Sequence, residues 1–178
     1  MNEFVSSIAE IRERARRHIE AGAVTEGYKA DRNRVIAVLN ELLATELVCV
    51  LRYKRHYFMA RGISAEAVKP EFQQHAEEER QHADWIAERI TQLGGEPDFN
   101  PQALSKNSHS EYVEGDDLLS MIRENLIAER IAIESYSEVI RWLDNDDPTT
   151  RTLIEDILKV EEEHADDMAN LLAKLDRE

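Results

Sequence analysis

A six-residue phrase occurs twice in this chain, as Glu79-Arg80-Gln81-His82-Ala83-Asp84 and as Glu161-Glu162-Glu163-His164-Ala165-Asp166. Each sets a carboxylate and an imidazole at i and i+3. On an α-helix such residues are separated by about 60° around the axis and about 4.5 Å along it, so both can reach one ion. A lone glutamate stands upstream of each phrase: Glu46 precedes Glu79 by 33 residues, and Glu129 precedes Glu161 by 32. The wider pattern repeats as well. Glu41, Glu46 and Tyr53 are spaced as Glu124, Glu129 and Tyr136 are. A chain that writes one half twice implies two helical hairpins related by an approximate two-fold axis, with any site on that axis fed equally by both.

The surroundings of these acids decide what the site can be. Glu46 follows Leu39, Leu42 and Leu43 and precedes Val50 and Tyr53 at helical spacing; Glu79 lies between Phe72, His75 and Ile86. Glu129 sits among Leu119, Ile122, Leu126, Ile133, Tyr136, Ile140 and Leu143, and Glu161 among Ile154, Ile157, Met168, Leu171 and Leu175. All four thus fall in stripes that face a bundle interior. Each unpaired buried carboxylate costs several kcal/mol, and four together repel one another further. Two divalent cations balance the four negative charges, and His82 and His164 complete the shell without adding charge. Carboxylate and imidazole ligation suits iron, with manganese as the alternative, and the lack of thiolates disfavours a structural zinc site. His56 and His75 lie near this constellation and read as core or supporting groups. His18 and His109 read as surface, and Glu77, Glu78, Glu162 and Glu163 as solvated acids.

Composition removes other classes. A net charge of −15 over 178 residues argues against general affinity for nucleic acid or an anionic membrane, and suits a protein that gathers cations. The single cysteine, Cys49, rules out an internal disulfide or a CxxC pair and reads as a buried, inert thiol. No leader or membrane span is legible, so the expected location is cytoplasmic.

Taken in order, residues 1–24 predict a short amphipathic helix bearing Phe4, Ile8, Ile11, Ala15 and Ile19, with Arg12, Arg14, Arg16, Arg17 and His18 on its far side. Through residue 34 there are seven Lys/Arg against six Asp/Glu, so basic character is confined to this N-terminal extension (residues 1–30). Asp31 or Asn33 caps a helix ending near Gly62, and Ser64 caps a second that starts or bends at Pro70 and ends at Gly94-Gly95. Residues 95–115 form one long connection. Asp116 or Asp117 opens the third helix, the turn at 144–148 closes it, and Thr149 or Thr150 caps the fourth. Four long helices with two short connections and one long one predict an all-α four-helix bundle with a single crossover over residues 31–178.

From Glu41 onward the chain resembles the bacterioferritin branch of the ferritin-like superfamily. LNELLATELVCVLRYKRHYFMARG is similar to that family's first helix, EEERQHADWIAERITQLGGEP to its second and DILKVEEEHADDM to its fourth. The resemblance implies that Glu46 and Glu129 are terminal ligands, that Glu79 and Glu161 bridge two irons, and that His82 and His164 each cap one. It implies that Tyr53 hydrogen-bonds near the bridge, as part of the catalytic set. The implied function is a ferroxidase that stores iron: Fe(II) is oxidised by O2 or H2O2 at a centre of two iron ions per subunit, within a homo-oligomeric shell.

Departures qualify this. Arg80 stands where the resemblance places a haem-ligating methionine, so no haem is expected. No short fifth helix is legible after the fourth, which leaves a cage of 24, a cage of 12 or a smaller oligomer. Tyr136 mirrors Tyr53, a symmetry more like rubrerythrin-type peroxidases, so the alternative function is a di-iron or di-manganese peroxidase or catalase-like enzyme without a storage shell. A Dps-like protective protein using the Arg12–Arg17 arm is disfavoured, because Dps ligands sit between subunits and here one chain supplies a full set. A cargo protein housed in another shell remains a further alternative.

Overall fold

The computed structural model describes residues 6–175, and every regular element among them is helical. Four long helices make the bundle: α2 (Arg32–Met59), α3 (Ala65–Gln92), α5 (Leu118–Leu143) and α6 (Pro148–Leu175). Two short ones accompany them, α1 (Ile8–Arg14) and α4 (Pro101–Asn107). The short loops at 60–64 and 144–147 make antiparallel hairpins of α2 with α3 and of α5 with α6, which touch through α2–α5 and α3–α6. The expected all-α bundle with one crossover is the fold.

Local chemistry sets the ends. The Asp31 carboxylate accepts the Arg34 N–H at 3.1 Å and starts α2, and Asp117 with Ser120 forms a reciprocal box at the start of α5. At the end of α3, Gly94 takes φ +76°, and the Gly95 N–H returns to the Ile90 carbonyl at 2.9 Å. A Cβ on Gly95 would lie 2.8 Å from Ile36 Cγ2, so the crossover leaves tight against α2.

Four expectations need correction. The N-terminal helix is only Ile8–Arg14, followed by a 3-10 turn at Ile19–Ala21, and Phe4 lies outside the described residues. Ile8 and Ile19 are 61% and 76% exposed, so among the described residues nothing covers this face to extend a helix too short to be stable alone. The crossover is not all coil. Asn100 caps α4 by accepting the Gln102 N–H, with Pro101 at the first helical position. In α3, Pro70 lies inside a helix that already begins at Ala65, and Ser64, in helical backbone conformation, makes no capping hydrogen bond there. Finally, α6 starts at Pro148 rather than at a threonine cap. The Asp147 carboxylate accepts from both the N–H and the hydroxyl of Thr150, which makes Asp147 the capping group.

The core falls into two clusters. Leu39, Leu42, Leu43, Ile86, Ile90, Leu143, Ile154 and Ile157 pack at one end, with Val24, Tyr28 and Ala30 of the N-terminal segment lying against them. Tyr53, Phe72, Ile122 and Met168 pack at the other. The site lies between them, at the midpoint of all four long helices. No helix of the described residues is long and apolar enough to cross a membrane.

Candidate metal centre

The bundle brings together all six charged positions read from the sequence. Glu46 from α2, Glu79 and His82 from α3, Glu129 from α5, and Glu161 and His164 from α6 are each at most 2% exposed. The helical seam does this: each acid holds the inward register in the middle of its helix, where apolar neighbours one turn away on both sides exclude water.

The ligand atoms form two overlapping groups. Glu46, Glu79, His82 and Glu161 can place ligand atoms within 4.8 Å of one another, and so can Glu79, Glu129, Glu161 and His164. Glu79 and Glu161 belong to both. His82 Nδ1 lies 3.0 Å from Glu161, 3.3 Å from Glu79 and 3.5 Å from Glu46. His164 Nδ1 lies 3.5 Å from Glu79 and 3.9 Å from both Glu129 and Glu161.

The protein's own hydrogen bonds do not satisfy this cluster. Glu46 Oε2, Glu79 Oε1, Glu129 Oε2, Glu161 Oε1 and His164 Nδ1 are buried without a hydrogen-bond partner. The close His82–Glu161 approach is misaligned for a hydrogen bond. Buried polar atoms rarely go unpaired, and here they converge on one volume. The donor set therefore fits cations: the orphaned atoms are those that would hold them.

Titration behaviour carries the same message. Burial, then the charge of Glu79, pushes Glu46 up to about 8. Burial and Glu79 also raise Glu129 and Glu161. Burial would raise Glu79 too, but the imidazoles of His164 and His82 close beside it outweigh burial and hold this one carboxyl well below its usual range. The two imidazoles resist burial in the opposite sense: the carboxylates crowded around them raise His82 and lift His164 to about 9. Without cations, the site holds protons in their place.

Tyrosines lock the outer carboxylates. Tyr53 donates to Glu129 and Tyr136 donates to Glu46, each hydroxyl crossing from one hairpin to the glutamate of the other. Tyr53 thus contacts an outer carboxylate, not the pair shared by both groups. His75 Nδ1 is 3.1 Å from the Tyr53 hydroxyl, and the His75 ring stacks on His164 with centroids 3.9 Å apart. Burial, then the charge of His164, pushes His75 down to about 4.

Glu78 is not merely a solvated acid. Its carboxylate is 2.8 Å from His164 Nε2 and orients that ring so that Nδ1 faces the centre. The signal was present, since Glu78 precedes the shared Glu79, but one acid among many neighbours does not stand out. His56 stays away from the centre. It binds Asn125 and the Val113 carbonyl, while Arg52 binds Asn125 and the Glu111 carbonyl, and together they tether the crossover. Cys49 is buried, with its thiol pushed up by burial. Arg80 is tied to Glu77 and Asp84 on the outside of α3.

The geometry has a counterpart in known proteins. A model of the ferritin-like domain matches residues 36–178. The chain belongs to the ferritin-like family. Among its relatives, a nutrient stress-induced DNA-binding protein of Nostoc is 31% identical over 140 residues, which is 76% of each chain. A bacterioferritin of Desulfovibrio desulfuricans is 28% identical over 140 residues, 78% of this chain and 74% of that one. The bacterioferritin-related dodecameric thioferritin of Bacteroides fragilis superposes with a TM-score of 0.81 at 33% identity, covering 84% of this ferritin-like chain and 90% of its own.

Proposed function

We propose that this ferritin-like protein is a ferroxidase that detoxifies and stores iron, with Glu46, Glu79, His82, Glu129, Glu161 and His164 holding two Fe(II) ions as substrate in each subunit. The observation that carries this reading is the set of unpaired, buried oxygens and nitrogen from both hairpins that converge at the bundle midpoint. Glu79 and Glu161 are common to both groups and serve as the bridging pair, while Glu46 with His82 and Glu129 with His164 complete the two ends. Bound there, the iron pair supplies two electrons to O2 or H2O2. The protein's share is to hold four carboxylates ionised around the ions, to keep the outer pair aligned through Tyr53 and Tyr136, and to exclude bulk water.

The shell is inferred from kinship. The thioferritin relative is a dodecamer, and this chain exposes Leu51, Phe58, Trp85, Ile127 and Trp142 on its long helices, apolar area that self-association would cover. A homo-oligomeric cage is the assembly that fits, acting in the cytoplasm.

Anaerobic Fe(II) titration of the purified protein should fill two positions per chain at this centre, and air should then yield ferric product. A Glu129→Ala, His82→Ala double variant that oxidised iron normally would overturn the assignment. Native mass settles the assembly, with a cage expected at twelve times the 20.5 kDa chain.

A further inference from the structure

Beside the centre, a second group of ligand atoms faces out between α3 and α6. Glu71, His75 and Asp167 place a ligand atom each within 4.8 Å of one another. His75 is fully buried, and its Nε2 has no hydrogen-bond partner. Asp167 Oδ2 is 3.5 Å from that nitrogen, and the Asp167 side chain is 51% exposed.

The proton on His75 can be placed by counting donors. Tyr53 has a single hydroxyl proton, and it goes to Glu129. The 3.1 Å contact between His75 Nδ1 and the Tyr53 oxygen therefore needs Nδ1 to be the donor. A neutral imidazole then carries its lone pair on Nε2, and that lone pair faces two carboxylates. Three acceptors converge with no proton among them, an arrangement that a cation at its centre would relieve.

We propose that Glu71, His75 and Asp167 form a third divalent-cation site, one side chain removed from the paired centre through His75 and Tyr53. Two carboxylates and one neutral imidazole cancel the charge of one divalent ion, and mixed oxygen and nitrogen ligation suits a first-row metal such as Fe(II). The spacing agrees. Two ligands each about 2.1 Å from one ion at a tetrahedral angle lie about 3.4 Å apart, close to the 3.5 Å between His75 and Asp167. The half-exposed Asp167 gives the site direct access to solvent. The His75 ring stacks on His164, so the third ion sits on the way between the bundle surface and the paired centre. The site's own ligands do not include any of the six that define that centre.

The test uses Co(II) as an air-stable probe. Crystals of the full chain soaked in Co(II) should show, at the cobalt edge, an anomalous peak between Glu71, His75 and Asp167 in addition to two at the paired centre. Equilibrium dialysis should give three ions per chain. The Glu71→Gln, Asp167→Asn double variant alters only side chains at or near the surface. It should keep the two central peaks, lose the outer one and bind two. An outer peak with an empty centre would support this site and overturn the paired-iron reading. Two central peaks with no outer density, or an outer peak that survives in the variant, would overturn this one.

Discussion

The Tyr53 hydroxyl of α2 donates to the Glu129 carboxylate of α5 while accepting from His75 on α3, so one phenol joins three helices at the edge of the centre. Replacing it with phenylalanine leaves two buried partners unsatisfied. Tyr53→Phe is expected to cost about 1–3 kcal/mol of stability and to slow Fe(II) oxidation roughly tenfold or more. The number of Fe(II) ions held at the paired centre should remain two, because no ligand is removed. Stopped-flow oxidation beside anaerobic titration separates these effects, and an unchanged rate would remove Tyr53 from the catalytic set.

Glu78 offers a second handle on the centre. By fixing the His164 ring from behind, it makes that imidazole a better-aligned and more basic ligand. Glu78→Gln keeps the shape and removes the charge. Fe(II) or Co(II) affinity at one of the two central positions should fall about 10- to 100-fold, with the other position little affected. Two identical affinities matching the unsubstituted protein would show that Glu78 is only a surface acid.

The metal-free fold should lose stability as pH rises. Glu46, at about 8, and His164, at about 9, both bind protons more tightly when folded than when unfolded. For groups with raised folded values, the stabilisation is complete below the unfolded value and disappears as pH climbs through the folded one. Glu79 is held low and stays ionised throughout, so it adds no slope in this range. Thermal melts of the chelated protein should therefore fall between about pH 6.5 and 9, by up to about 1.4 kcal/mol per pH unit for each group titrating. Saturating divalent metal should flatten the decline, since ions take over from protons; equal slopes with and without metal would contradict this.

Far from the centre, Asp147 holds the α5–α6 turn. It caps α6, pairs with Arg89 of α3 at 2.9 Å and accepts the Tyr28 hydroxyl at 2.8 Å. Burial would raise its pKa, but hydrogen bonds from Thr150 outweigh burial and keep the carboxyl below its usual range. Asp147→Asn leaves Arg89 without its counter-charge and is expected to destabilise by about 3 kcal/mol at pH 7. A depressed acid stabilises above its unfolded value, near 4, and loses that contribution as pH falls through the folded one. The two denaturation curves should accordingly converge below about pH 4; a constant gap would show that the charge is not what matters.

The four long helices were legible because each carries a strong apolar stripe, and polar caps mark the starts of α2, α5 and α6. The six central side chains were legible because acids at inward register contradict the stripe unless something compensates them. What escaped depends on contacts between distant parts of the chain. Nothing near Arg52 or Asn125 in sequence says that they would tether the crossover carbonyl of Glu111. On α5 the stripe is also broader than expected, with Asn125, Ala128 and Ala132 buried while Leu126 and Ile133 are only partly covered. Small and polar residues there admit the buried arginine and the close helix approach, which an apolar count does not register. His75 was seen as a supporting group, but the lone pair it turns toward Asp167 emerges only once the Tyr53 proton has been placed.

The crossed tyrosines have a consequence for how such a chain could have arisen. Each hairpin owns its glutamate–histidine phrase, yet the hydroxyl that restrains its outer glutamate comes from the opposite hairpin. Neither half is chemically complete by itself, although both carry the same spaced pattern of glutamates, tyrosine and histidine. A half-length ancestor would have had to meet its own duplicate to close this grip, and fusion of the two genes would then have preserved an embrace that was already reciprocal.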